Sequence, residues 1–183
     1  MEDPKIPWTI ADLSSIPSAK MGVVYHVMGT PFDLFNPTGA VIGGLLSFTS
    51  FGKRVGAIPM IANGGLLAGG AGMSLGLMAL YGVSQKGEQA SPPWNDEGIQ
   101  QRVDGLRHNF HVRILDLSVW SGIGLAGGIT AFIGGPAKLG LANGTLGVLQ
   151  ALSLGSTVGS LAGMGCIAVQ EYKVRKFLEE DDV

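Results

Sequence analysis

The chain has 183 residues, of which 14% are Asp, Glu, Lys or Arg and 30 are Gly, with a formal net charge of −2. Soluble domains average about 25% charged residues and about 7% Gly, so this balance excludes an ordinary water-soluble fold. The single cysteine excludes an intrachain disulfide, and the absence of a basic run removes any expectation of a nucleic-acid partner.

Residues 1–33 form a polar segment broken by Pro4, Pro7, Pro17 and Pro31. Its apolar residues Trp8, Ile10, Leu13, Ile16, Val23, Val24 and Tyr25 predict a segment lying on a surface or a partner. Met1 is followed by Glu2 and Asp3 rather than a basic region, so targeting information is expected inside the chain.

Four uncharged stretches follow: residues 34–52, 55–85, 117–137 and 139–170. About 20 apolar residues suffice to cross roughly 30 Å of hydrocarbon. Short connections at Lys53-Arg54 and around Pro136 and Lys138 predict antiparallel hairpins, over 34–85 and 117–170. The predicted fold is all-α: four transmembrane helices as two Gly-rich hairpins. The hairpins also read as repeats. Asp33-Leu34, Thr38-Gly39 and Gly43-Gly44 in the first match Asp116-Leu117, Ser121-Gly122 and Gly127-Gly128 in the second.

Residues 86–116 make the one sizeable polar loop. Asn95 precedes Asp96 and Glu97, a helix start with acids near the positive end of the dipole. Ile99, Val103, Leu106, Phe110 and Ile114 recur at helical spacing, predicting an amphipathic helix at the membrane interface, with Arg107 and His108 toward its polar side. Residues 171–183 are read as a charged, solvated tail.

Small residues recur every four positions in each span: Gly39 and Gly43; Gly64, Ala68, Gly72 and Gly76; Gly124 and Gly128; and Gly147, Ala151, Gly155, Gly159 and Gly163. In water each interior Gly costs about 0.5–1 kcal/mol relative to Ala. In a bilayer the same stripes let backbones approach closely. They are therefore the predicted helix-packing residues. Mid-span polar groups are few (Asn63, Asn143, Gln150, with Ser and Thr), which favours packing over an aqueous pore.

Chemical motifs are weak. The run from Gly122 to Gly127 has dinucleotide spacing, but no acid follows until Glu171. His108 and His111 have no further ligands nearby, and Cys166 reads as a small packing residue. No catalytic, cofactor-binding or metal-ligating set is expected, and the spans hold no Lys or Glu of the kind proton relays use. Arg102, Arg107, Arg113, Lys173 and Arg175 are the candidate contacts to lipid head groups, with structural phospholipid the expected ligand.

Four Gly-rich spans, two hairpins, basic turns and an acid-rich terminal side resemble the mitochondrial inner-membrane translocase (Tim-type) family, which includes an accessory subunit of the membrane arm of respiratory complex I. The family signature is an Arg, three residues, an Asp, then Gly-rich spacing. Here Arg113 precedes Asp116 by a spacing one residue shorter, followed by Ser121-Gly122 and Gly127-Gly128. The resemblance implies the inner mitochondrial membrane, with termini toward the intermembrane space and the Lys53, Arg54 and Lys138 turns toward the matrix. Translocating members commonly carry a paired-cysteine disulfide, which the lone Cys166 cannot supply. The resemblance therefore implies a non-catalytic accessory subunit, partnered by other membrane subunits of a large hetero-oligomeric complex and by lipid. A translocase or channel subunit is the alternative.

Overall fold

The computed structural model describes residues 19–181, so Trp8, Ile10, Leu13 and Ile16 lie outside the described residues. The architecture is helical, with no strand among the described residues. Four long helices are α1 (Ala19–Leu46), α3 (Ala57–Lys86), α5 (Phe110–Phe132) and α6 (Gly144–Asp181). Two shorter ones are α2 (Ser50–Val55) and α4 (Asp96–His108). Three segments, Ala57–Gln89, Phe110–Phe132 and Gly144–Lys176, are long and apolar enough to cross a membrane.

The helix starts follow local chemistry. Thr49, Asn95 and Asn109 each accept a hydrogen bond from the backbone N–H three residues on, at 3.1, 2.9 and 3.2 Å, capping α2, α4 and α5. Gly56, at φ +99°, makes the reversal between α2 and α3, a backbone region that side chains rarely occupy.

Three expected boundaries move. α1 runs through Asp33, so residues 19–33 belong to the first long helix rather than to a separate surface segment. Pro31 and Pro37 sit inside it, and Asp33 is buried at 7% exposure. The charge that would end an isolated span is met by a donor from α6, described below. The loop helix breaks at Asn109, where extended backbone and the Asn cap start α5; Phe110 and Ile114 therefore belong to α5. α6 continues to Asp181, because residues 171–181 contain no Gly or Pro to stop it.

The long helices pack as two antiparallel pairs, α1 with α3 and α5 with α6, joined mainly through α6 against α1 and α3. α4 lies across the start of α1 and the end of α3. Its Ile99 and Val103, each 1% exposed, close a small core with Val23, Val27, Leu80 and Trp94. α4 thus buries Ile99 and Val103 on protein. Outward-facing residues of the long helices are apolar and exposed, Leu67 at 76% and Phe132 at 92% among them.

Candidate functional site

Within each pair the contact is backbone on backbone. A Cβ added at Gly39 would fall under 3.0 Å from the Gly64 carbonyl and Ala68, and one at Gly64 would meet Gly39 in return. Gly43 faces Met60, Gly72 faces the Pro31 carbonyl and Gly76 faces the Val27 carbonyl. That last carbonyl lies four residues before Pro31, whose ring nitrogen cannot donate to it; Gly76 packs on the group so freed. In the second pair Gly122 and Gly155 meet reciprocally, Gly159 meets Ser118 and Val119, and Gly163 meets Leu115. Each reciprocal crossing uses one aligned residue of the two sequence repeats, Gly39 in the first and Gly122 in the second.

Three predicted packing residues sit elsewhere. Gly124 and Gly128 have nothing within 4 Å of an added Cβ. The α5 glycine that meets α6 backbone is Gly122, two positions from Gly124 and so nearly opposite it on the helix. Gly147 packs against the Ala142 carbonyl and Pro136 of its own preceding turn rather than against another long helix. Ala151, 2% exposed, packs with Ala62 and Leu141.

Between the two pairs the chemistry changes from glycine to hydrogen bonds. α6 has two working faces. Gly155, Gly159 and Gly163 look toward α5, while Gln150, Ser153, Ser156, Thr157 and Ser160 form a stripe toward α1 and α3. Asn36 of α1 is fully buried; its Nδ2 donates to Ser153 Oγ at 3.0 Å, and its Oδ1 accepts from the Thr157 hydroxyl. Ser153 Oγ donates to the Ala62 carbonyl at 3.2 Å. Ser156 Oγ donates to Asp33 Oδ1 at 3.3 Å. Gln150 joins the other end of the seam, donating to Asn63 Oδ1 at 2.7 Å and accepting from the Ala142 N–H at 2.8 Å. Gly65 makes room, since its Cβ position lies 2.9 Å from Ser153 Oγ and 3.1 Å from Asn36 Oδ1. Ser160 Oγ is buried with no partner, one turn beyond Ser156 on the same face.

Toward the terminal side the seam opens into a cavity of about 170 Å³ lined by Asp33, Gly29, Tyr25, Phe32, Trp120 and Ile123. Tyr25 and Trp120 stack across it, with centroids 6.0 Å apart and planes at 13°. Asp116 of α5 is within electrostatic reach of Asp33. The acids at the start of the two predicted hairpins are therefore within charge–charge range of each other. The seam orders two helix pairs against each other; among the described residues, no group of His, Cys, Asp and Glu is placed to hold a metal.

The candidate head-group residues divide. The Arg102 guanidinium donates to the Pro92 carbonyl and lies 5.9 Å from the centroid of the Trp94 ring, so it is committed to the loop rather than to lipid. Arg113 is half-buried, and Lys173 and Arg175 are exposed on α6. The Arg107 side chain lies outside the described residues. His108 contacts the Asp104 carbonyl at 2.7 Å, and the Asn109 break separates it from His111, which lies 3.6 Å from Glu171. Cys166 is exposed on α6. The dinucleotide-like run Gly122 to Gly127 lies in mid-helix, where no strand-to-helix turn is formed.

Asn36, Asp33 and the Ser/Thr stripe were the residues that Gly counting passed over. Their signal is the spacing of Ser153, Ser156, Thr157 and Ser160 at i, i+3, i+4 and i+7. No protein family, curated protein or solved structure matches the chain.

Proposed function

We propose that the chain spans the inner mitochondrial membrane four times, as two glycine-packed hairpins, and is a non-catalytic structural subunit of a large respiratory complex. The membrane arm of complex I is the assembly we favour. The observation that carries this reading is the combination of Gly-to-carbonyl crossings with a hydrogen-bonded seam inside an apolar exterior. Such a body is rigid within and needs lipid or protein without.

Packing supports counting α1 as a fourth span. α1 is not among the three segments apolar enough by composition to cross a membrane, since it carries Asp33, Asn36 and two prolines. Yet it lies along α3 from Val27 against Gly76 to Gly43 against Met60, about 24 Å at 1.5 Å per residue. A helix that shares this length with a membrane-crossing neighbour shares its depth. Asp33 and Asn36 are tolerated there because α6 supplies their partners. The termini and α4 then lie on one side, which we assign to the intermembrane space. The Lys53-Arg54 and Lys138 turns lie on the matrix side, and Lys173 and Arg175 remain for lipid head groups.

A tagged chain extracted in mild detergent should co-purify in fixed stoichiometry with a respiratory complex. Its loss should impair that complex before it impairs protein import. The alternative is a translocase or channel subunit, which the cavity beside Asp33 favours. Reconstituted alone in liposomes the chain should pass no ions; voltage-dependent conductance would replace the structural reading with this one.

A further inference from the structure

A groove of about 600 Å³ runs along the outside of the α1–α3 pair, over the Gly39–Gly64 crossing. Its walls are Ile42, Leu46, Leu67 and Leu146, and α2 closes its turn-side end with Phe51 and Val55. Asn63 is its one polar side chain, and the Asn63 amide oxygen is already bonded to Gln150. The volume falls within the roughly 300–1,000 Å³ of ordinary ligand sites.

Charge and apolar lining together identify the occupant. On α3 the groove extends from Met60 to Ala68, about 12 Å at 1.5 Å per residue, and every lining side chain but Asn63 is apolar, which suits a hydrocarbon chain. The end closed by α2 is basic. Phe51 and Val55 share one side of α2, Arg54 flanks that side, and Arg54 and its neighbour Lys53 are both exposed. No Asp or Glu occurs between residues 34 and 87 or between 117 and 170, so nothing on this side neutralises them.

We infer that this groove holds an acyl chain of an anionic phospholipid, with its phosphate on Lys53 and Arg54. The inference rests on the membrane reading above and moves the lipid site to the side opposite α4. Phe51 and Val55 grip the upper chain, the leucine walls enclose its remainder, and the two cations select charge.

The test uses the full chain carrying Leu146→Trp as reporter, with Leu67→Trp as a second reporter. Both replace exposed apolar groove residues. Each is reconstituted into vesicles containing either dibrominated phosphatidylglycerol or dibrominated phosphatidylcholine, whose bromines quench a neighbouring indole. The reporter's added fluorescence should be quenched at a mole fraction of the anionic lipid at least about fivefold lower than of the neutral one, the factor expected from one basic residue near anionic lipid. Lys53→Gln with Arg54→Gln should remove that preference while leaving quenching by the neutral lipid. Equal quenching by both lipids would overturn the inference, as would a preference that survives loss of both cations. So would a reporter shielded from both lipids in a chain that floats with the vesicles. A chain that fails to float overturns the membrane reading, and this inference with it.

Discussion

Alanine at Gly159 isolates the helix crossing from every other property of the chain. An added Cβ there would lie 2.6 Å from Val119 Cα and 2.9 Å from the Ser118 carbonyl carbon, with the Ser118 oxygen closer still. All three are backbone atoms of α5, so no rotamer change relieves them. Ordinary contact begins at 3.4 Å and the Ser118 oxygen lies at 2.3 Å, which asks α5 to retreat by about 1 Å. A gap of roughly 0.5–1 Å forfeits a quarter to a half of each dispersion well along the crossing, and overpacking costs about 1–3 kcal/mol. Helix propensity returns up to about 1 kcal/mol on replacing Gly by Ala. The net expectation is a loss of about 1–2 kcal/mol, or a midpoint lower by about 2–8 °C for a chain of this size. Thermal unfolding in mild detergent, followed by circular dichroism, measures it. Gly124→Ala is the control: it makes the same propensity change where nothing lies within 4 Å, so it should be neutral or slightly stabilising. If the two variants melt together, the reasoning that assigns Gly159 to a backbone crossing is refuted.

Asn36→Leu should lower stability by about 1–3 kcal/mol, because Thr157 and Ser153 lose their shared buried partner; an unchanged melting midpoint would show that the seam is not holding the pairs together. A double-mutant cycle on Asn63 and Gln150, using alanine at each, should give a coupling of about 0.5–1.5 kcal/mol, and zero coupling would count against their hydrogen bond. Val103→Asp should detach α4, since Val103 is 1% exposed against Val23 and Ile99. Amide exchange should then accelerate over 96–108 while α5 and α6 stay protected; protection retained over 96–108 would rule out that docking.

The four-residue glycine period is readable in sequence because it places small residues on one line of a helix. Which line faces which neighbour is not readable, since rotation about the helix axis is set by tertiary packing. That is why Gly155, Gly159 and Gly163 are found against α5 while Gly124 and Gly128 face outward and Gly122 makes the contact. The α4 cap is visible in Asn95-Asp96-Glu97, but the second cap at Asn109 is masked by apolar spacing that carries on through Phe110 and Ile114. In sequence Asp33 marks a boundary, because an isolated carboxylate is costly in hydrocarbon. Its donor, Ser156, lies 123 residues away, and no local pattern announces such a pairing. The Ser/Thr stripe of α6 is present in the sequence, but the glycine period of the same helix overlies it.

The unbroken 38-residue α6 has a mechanical consequence. At 1.5 Å per residue it is a rod of about 57 Å, nearly twice the roughly 30 Å hydrocarbon thickness. Ser156, at the polar seam, acts as a fulcrum, and the stretch from there to Asp181 is a lever arm of about 37 Å. A 5° tilt about that fulcrum moves the charged tip by about 3 Å, and a force on the tip returns to the seam multiplied by the same arm. Whatever grips residues 171–181 therefore holds leverage over the hydrogen bonds that set one helix pair against the other.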